Sequence, residues 1–214
     1  MKKNIACLNK SNLVSGKLRT LVPELYELKE VIENSKDGWH DNESVFDHTL
    51  FVMSALEKLF LKIGKNLETI LNQKIDKNTR KILLKIATMF HDIAKKETWT
   101  KDENGFTHFP RHGELSGQKT IKILDRFDLS TREKQFVADI IAGHMDFHLL
   151  LIPDNSVNFQ KDFLAIRNKF WGYIYPELVL LDYADTIDAG IRKTRPKEYK
   201  YRMNFYKREI EKLS

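Results

Sequence analysis

The stretch Phe90-His91-Asp92-Ile93-Ala94-Lys95 sets an imidazole and a carboxylate side by side at the end of an apolar run. Histidine and aspartate are both ligands for divalent metals. A carboxylate on a buried helix is costly unless it is paired or bound to a cation. Adjacent helical residues do not face each other, so an ion held by both must draw its other ligands from elsewhere. The residues of the right type are His48, His112, His144 and Asp185. Taken singly, each histidine also fits a bland role, as a hydrogen-bonded core residue or a solvated one in the first turn of a helix. Asp185 is harder to explain in that way, because it falls on one helical face with Ile174, Leu178 and Leu181.

Such residues need helices to hold them. Leu21, Leu25, Leu28 and Ile32 recur at helical spacing and predict a first helix over 18–34, with a packing role only. After a turn at Ser35-Lys36-Asp37-Gly38, the chain from Trp39 leads into a second helix with Ser44 as its N-cap and Asp47 three residues on. His48 shares the inward face of that helix with Val45, Val52, Ala55 and Leu59. The helix ends near Gly64, a polar segment runs to Lys77, and Asn78-Thr79 opens the helix that carries His91 and Asp92. Two adjacent apolar stripes, through Ile82, Ile86 and Met89 and through Leu83, Ala87 and Phe90, describe a helix buried on most sides.

A polar connection over 95–106 precedes a helix with His112 near its start and the small pair Ser116-Gly117 one turn on, which suits close helix approach. The next helix is expected over 131–142, ended by Gly143. That leaves His144 where helix becomes loop, and His148, four residues on, facing the same way if the helix resumes and exposed as a loop residue if it does not. A turn at Leu151-Ile152-Pro153-Asp154-Asn155 follows, then helices over 159–171 and from Tyr175-Pro176 onward. In the latter, Asp182 sits one residue off the core face and Asp188 near solvent. A basic amphipathic helix over 198–213 carries Tyr201, Phe205 and Ile210.

Across 214 residues, 42% hydrophobic and 31% charged content with only 9 Gly and 5 Pro points to long regular elements and one core, hence an all-α, single-domain helical bundle. The expected organisation is a lead-in and packing helix over 1–38, the domain proper over 39–190, and the basic helix over 191–214 packed on or beside it. Cys7 is the sole cysteine, so no intrachain disulfide forms and a cytoplasmic setting is the simplest expectation. Met1-Lys2-Lys3 opens like a secretory signal, but Asn4 to Lys10 breaks off before any sustained apolar core, and no apolar run is long enough to span a bilayer. A net charge of +6 favours anionic partners such as nucleotides or nucleic acid. The densest basic run, Arg192-Lys193-Thr194-Arg195-Pro196-Lys197, reads equally well as a solvated face.

Three longer motifs, His40-x5-Phe46-Asp47-His48-Thr49-Leu50, His91-Asp92-Ile93-Ala94-Lys95 and Phe109-x-x-His112-Gly113-Glu114, followed by an Ala184-Asp185 pair, resemble the HD-domain metal-dependent phosphohydrolases in kind and order. They look most like the HD domain attached to bacterial tRNA nucleotidyltransferases and poly(A) polymerases, here standing alone. The likeness runs from about Trp39 to Asp188. It implies a primary metal site of His48, His91, Asp92 and Asp185. His112 and His144 match positions that hold a second metal or contact phosphate, and one metal or two stays open. Lys95 matches a family lysine suited to a phosphoryl oxygen. Ala94 replaces a more usual glycine, and Arg111 stands where many relatives have glycine, as a phosphate contact or a surface charge.

The resemblance implies hydrolysis of a phosphomonoester or phosphodiester, of a nucleotide or an RNA end, by metal-bound hydroxide. Asp92, Lys95, His112 and His144 would act at the reacting centre, with Lys95 and Arg111 on the substrate. The donor set suits Mn, Fe, Co, Ni, Zn or Mg. Three other readings compete: oxygen chemistry at two irons, a non-catalytic module that senses a nucleotide or phosphate, and a simple RNA-binding module.

Overall fold

The computed structural model describes residues 2–36, 38–152, 158–187 and 189–214. The expected turn at Pro153-Asp154-Asn155 and the expected solvent position of Asp188 lie outside the described residues. Short helices α1 (Lys10–Val14) and α2 (Pro23–Glu27) lead into the strand pair β1 (Ile32–Asn34) and β2 (Asp41–Ser44), which is antiparallel. Then come α3 (Val45–Phe60), α4 (Lys65–Asn72), α5 (Arg80–Phe90) and α6 (Lys95–Thr98). A two-residue hairpin, β3 (Thr100–Lys101) with β4 (Thr107–His108), separates these from α7 (His112–Leu124) and α8 (Thr131–Leu150). The chain closes with α9 (Phe159–Phe170), α10 (Tyr175–Thr186), α11 (Ile191–Thr194) and α12 (Pro196–Leu213). The fold is all-α with two small sheets.

Helix α10 is the axis. Leu178, Val179, Leu180, Leu181 and Ala184 are all buried, and a helix that is apolar all round belongs inside a bundle. It packs on α3, α5, α8 and α12. Its register against α5 is set by a buried bidentate ion pair, with Arg80 Nε and Nη2 each 2.7 Å from an oxygen of Glu177. Arg80 Nη2 also donates to the Tyr173 carbonyl at 2.5 Å. Both partners lie in the first turn of their helices, so α5 and α10 advance together and deliver His91-Asp92 and Asp185 at their far ends. Helix C-termini carry partial negative charge, so two of them converge where a cation is expected. Close approach of α7 to α8 depends on Gly117, where a Cβ would lie 2.7 Å from the Ala138 carbonyl oxygen.

Several expectations change. The helix over 18–34 does not form, because Pro23 lacks an amide hydrogen and begins a new helix instead. The chain then passes through a 3-10 turn, Leu28–Glu30, and pairs as β1 with β2. Ile32, counted as core, is 40% exposed, while its neighbour Glu33 is buried. The polar segment before Lys77 contains α4, anchored by Leu67 and Leu71. The polar connection over 95–106 holds α6 and the β3 strand. Gly143 does not end α8. It lies where a Cβ would stand 3.2 Å from Leu178 and Phe170, so it marks helix contact, and α8 continues to Leu150.

Candidate metal centre

The site lies where α3, the end of α5, the start of α7, the middle of α8 and the end of α10 meet. His91 is the C-cap of α5, and Asp92 follows in the turn that joins α5 to α6. Ser44, whose hydroxyl accepts from the Asp47 amide at 3.0 Å, caps α3 and places His48 just inside its first turn. His112 is the first residue of α7, and Asp185 lies one residue from the end of α10.

Asp92 is 2% exposed and stands at the centre. Its Oδ2 is 3.1 Å from His91 Nε2 and 3.7 Å from His48 Nε2. Its Oδ1 is 3.4 Å from His112 Nε2 and 3.9 Å from His144 Nε2. Asp185 Oδ1 completes the first side, 2.8 Å from His48 Nε2 and 3.9 Å from His91 Nε2. Two trios of donor atoms result, His48 with His91 and Asp185, and Asp92 with His112 and His144, each within 4.8 Å of one another. A third trio, His40, Glu43 and His48, is partly satisfied within itself, since His40 Nδ1 lies 2.8 Å from Glu43 Oε1.

Three histidines are already in the form that binds metal. His91, His112 and His144 each donate Nδ1–H to the carbonyl three residues earlier, Thr88 at 2.9 Å, Phe109 at 2.8 Å and Ile141 at 2.6 Å. Each Nε2 is thereby left as a lone pair facing Asp92, the arrangement that fixes tautomer and ring orientation in metal ligands. His91 Nε2 and Asp92 Oδ1 are buried with no hydrogen-bond partner, and Asp92 Oδ2 has the Lys95 ammonium at 2.8 Å. Buried polar atoms are nearly always satisfied, so this cluster of orphans calls for a cation. The donors present fit a divalent metal ion.

Without a metal, electrostatics favour the neutral form at His112 and His144 but the protonated form at His48. Burial pushes His144 down to about 3, aided by His112 and His91, so it stays neutral. His112 is lowered by burial and by Lys95. Burial opposes ionisation of Asp92, but His91 and Lys95 outweigh it and hold the carboxyl well below its usual range. Asp185 follows the same pattern, burial being overcome by hydrogen bonds from His148 and His48. His48 is raised, because Asp185 outweighs the desolvation that would lower it.

A cavity of about 320 Å³ opens over these residues. Its lining includes the apolar Trp39, Phe109, Leu149 and Ile152 and the cationic Arg195 and Arg202. The structure brings together His48, His91, Asp92, Lys95, His112, His144 and Asp185. Arg111 stands apart: it does not line the cavity, its side chain is 72% exposed, and it makes a bidentate pair with Glu114. It holds φ 57°, ψ 20° at the N-cap of α7, a left-handed conformation that glycine adopts at no steric cost.

Sequence reasoning missed three members. His148, expected in an exposed loop, is 7% exposed on the extended α8, and its Nε2 lies 2.8 Å from Asp185 Oδ2. The i,i+4 spacing from His144 was the available signal. Glu33 comes from β1 and accepts from Lys95 Nζ at 2.6 Å, and nothing local in the sequence announces it. Arg202, on α12, is 1% exposed and reaches the same cavity.

Among the described residues no helix is long and apolar enough to cross a membrane. No curated protein matches the chain. Residues 45–190, more than half of its length, match the HD domain. With its ligand-type residues gathered at one centre, the chain belongs to the HD-domain family, whose superfamily is one of metal-dependent phosphohydrolases.

Proposed function

We propose that this protein hydrolyses a phosphomonoester or phosphodiester carried by a nucleotide or an RNA end, at a centre where Asp92 and the surrounding histidines would hold one or two divalent ions. One observation carries the reading: the two oxygens of the buried Asp92 face different sets of histidine nitrogens, Oδ2 those of His91 and His48 and Oδ1 those of His112 and His144. His48, His91, Asp92 and Asp185 would hold one ion, and Asp92, His112 and His144 the other. When bound, such ions lower the pKa of water and polarise a phosphoryl oxygen.

The chain's own groups do the rest. Lys95 Nζ spends two of its three donors, 2.6 Å from Glu33 Oε1 and 2.8 Å from Asp92 Oδ2. Its remaining donor is free for a phosphoryl oxygen, since Lys95 lines the cavity. The paired carboxylates raise its pKa, so it stays charged despite burial. The overall step is in-line attack of water oxygen on phosphorus, with cleavage of the bond to the leaving oxygen and transfer of a proton to that oxygen. The apolar wall at Trp39, Leu149 and Ile152 gives the organic part of the substrate a dry surface. Support for a nucleotide or RNA end comes from the net charge of +6. Arg111 would touch only a substrate that extends past the mouth.

The test is hydrolysis by chelator-stripped protein resupplied with Mn²⁺, Co²⁺, Ni²⁺, Zn²⁺ or Mg²⁺. Nucleoside monophosphates, cyclic nucleotides and a short RNA with terminal phosphate serve as substrates. Turnover of at least one class, lost in His91→Ala and Asp92→Asn, is expected. Equal rates in wild type and both variants would exclude the assignment, and saturable nucleotide binding without turnover in any metal would make the protein a sensor.

A further inference from the structure

The family match ends at residue 190, yet α12, which begins at Pro196, reaches into the metal centre. The contact runs through His148. Arg202 Nη1 donates to the His148 carbonyl at 3.0 Å. The guanidinium is held in turn by Glu198 Oε1, 2.9 Å from Nε and 2.8 Å from Nη2, and it lies over the Trp39 ring at 4.9 Å. The His148 ring meets Trp39 edge-on, with centroids 4.9 Å apart. His148 is therefore fixed on two sides, by an arginine on its backbone and an indole on its ring. Its remaining direction points inward, where buried Nε2 lies 2.8 Å from Asp185 Oδ2, an ion-pair contact that falls outside hydrogen-bond geometry.

His148 is not itself placed as a ligand. Ligand atoms on opposite sides of one ion are separated by roughly 4.2 Å for nitrogen donors. His148 joins neither trio of donors that includes Asp185 or Asp92, though those trios were drawn to 4.8 Å. The two oxygens of Asp185 are thus divided: Oδ1 faces His48 and His91, and Oδ2 faces His148. A metal-ligating carboxylate whose second oxygen is held by a neighbouring donor is oriented before the ion arrives.

We propose that His148 is a positioning residue for Asp185, and that α12, through Arg202, is a working part of the metal centre. The inference rests on the reading of that centre as metal-binding. It divides the roles of the α8 histidines: His144 ligates, and His148, one turn later, aims a ligand on another helix.

The experiment is Mn²⁺ titration of chelator-stripped wild type, His148→Ala, His148→Gln and Arg202→Lys, followed by calorimetry, with circular dichroism in chelator to confirm the fold. Removing the donor in His148→Ala should weaken the tighter Mn²⁺ site about 10- to 100-fold and leave the weaker site unchanged. His148→Gln, whose amide can donate from nearly the same place, should recover most of that loss. Arg202→Lys keeps the charge opposite Glu198 but not the planar fork, and should give a smaller loss at the same site. This second variant keeps the test decisive if His148→Ala does not fold. Wild-type Mn²⁺ affinity in folded His148→Ala would overturn the inference. Equal weakening in the Gln and Ala variants would also overturn it, since that would mean the imidazole ligates directly. A wild type that takes up no Mn²⁺ would remove the metal reading itself, a failure distinct from the first two.

Discussion

The two sides of Asp92 are built differently. Toward Oδ2 stand His48, His91 and a second carboxylate, Asp185, which is itself held by His148 from α8. Toward Oδ1 stand His112 and His144, with no further carboxylate in the trio. An ion on the first side meets two negative ligands at the convergence of two helix C-termini. An ion on the second side shares one negative ligand and otherwise meets neutral imidazoles. On the proposed reading, charge and orientation would make the first side the tighter site.

The change with the largest expected effect removes what the two sides share. Asp92→Asn keeps the shape but not the charge; it should empty both sites and lower phosphoester hydrolysis by more than about 10³-fold, read by metal analysis and initial rates. Next comes the register of α5 on α10. Arg80→Ala strands the buried Glu177 carboxylate and should cost about 3–5 kcal/mol in denaturant unfolding. It should leave metal stoichiometry in the folded fraction unchanged; a loss below 1 kcal/mol would mean the pair does not set that register.

His144→Leu should break only the second side, with one Mn²⁺ equivalent lost, the tighter one kept, and activity reduced about 10²-fold. The same residue gives a pH test in chelator. His144 sits near 3 in the folded protein because of burial, against about 6.5 when unfolded. Below about 6.5 the unfolded chain binds a proton that the folded one does not, so His144 removes about 1.4 kcal/mol of stability per pH unit as pH falls. His48 acts in the opposite sense: its raised value gives stability that is full below about 6.5 and is lost as pH rises through its folded-state value. Asp92 and Asp185, lowered, contribute above about 3.8 and lose that contribution only at lower pH. Denaturant unfolding between pH 4 and 6.5 should therefore slope less in His144→Leu than in wild type, and equal slopes would contradict the assignment. The smallest effect is at Arg111. Arg111→Gly relieves the left-handed backbone and should stabilise by about 1 kcal/mol. Rates on small phosphoesters should not change, and KM for an RNA end should rise up to about fivefold.

The same division explains what could be read from sequence. His48, His91, Asp92, His112, His144 and Asp185 all sit at helix ends or on inward faces, where periodicity and caps are local signals. Ser44 before His48 and the broad apolar surface of α5 were legible for that reason. The residues that orient them were not. Glu33 depends on a strand pairing that Pro23 forces and that a leucine stripe disguises as helix. His148 was hidden because Gly143 reads as a terminator, while in the bundle it admits Leu178 and Phe170 and lets α8 run on. Arg202 reaches the site from 54 residues beyond His148 in the chain, a contact that no local pattern encodes.

The most direct test of the central claim is Mn²⁺ bound per chain in chelator-stripped wild type and Asp92→Asn, titrated to saturation. Two equivalents of unequal affinity in the wild type, both lost or severely weakened in the variant, are what a bridging Asp92 predicts. An Asp92→Asn protein that still binds two ions with wild-type affinity would contradict it.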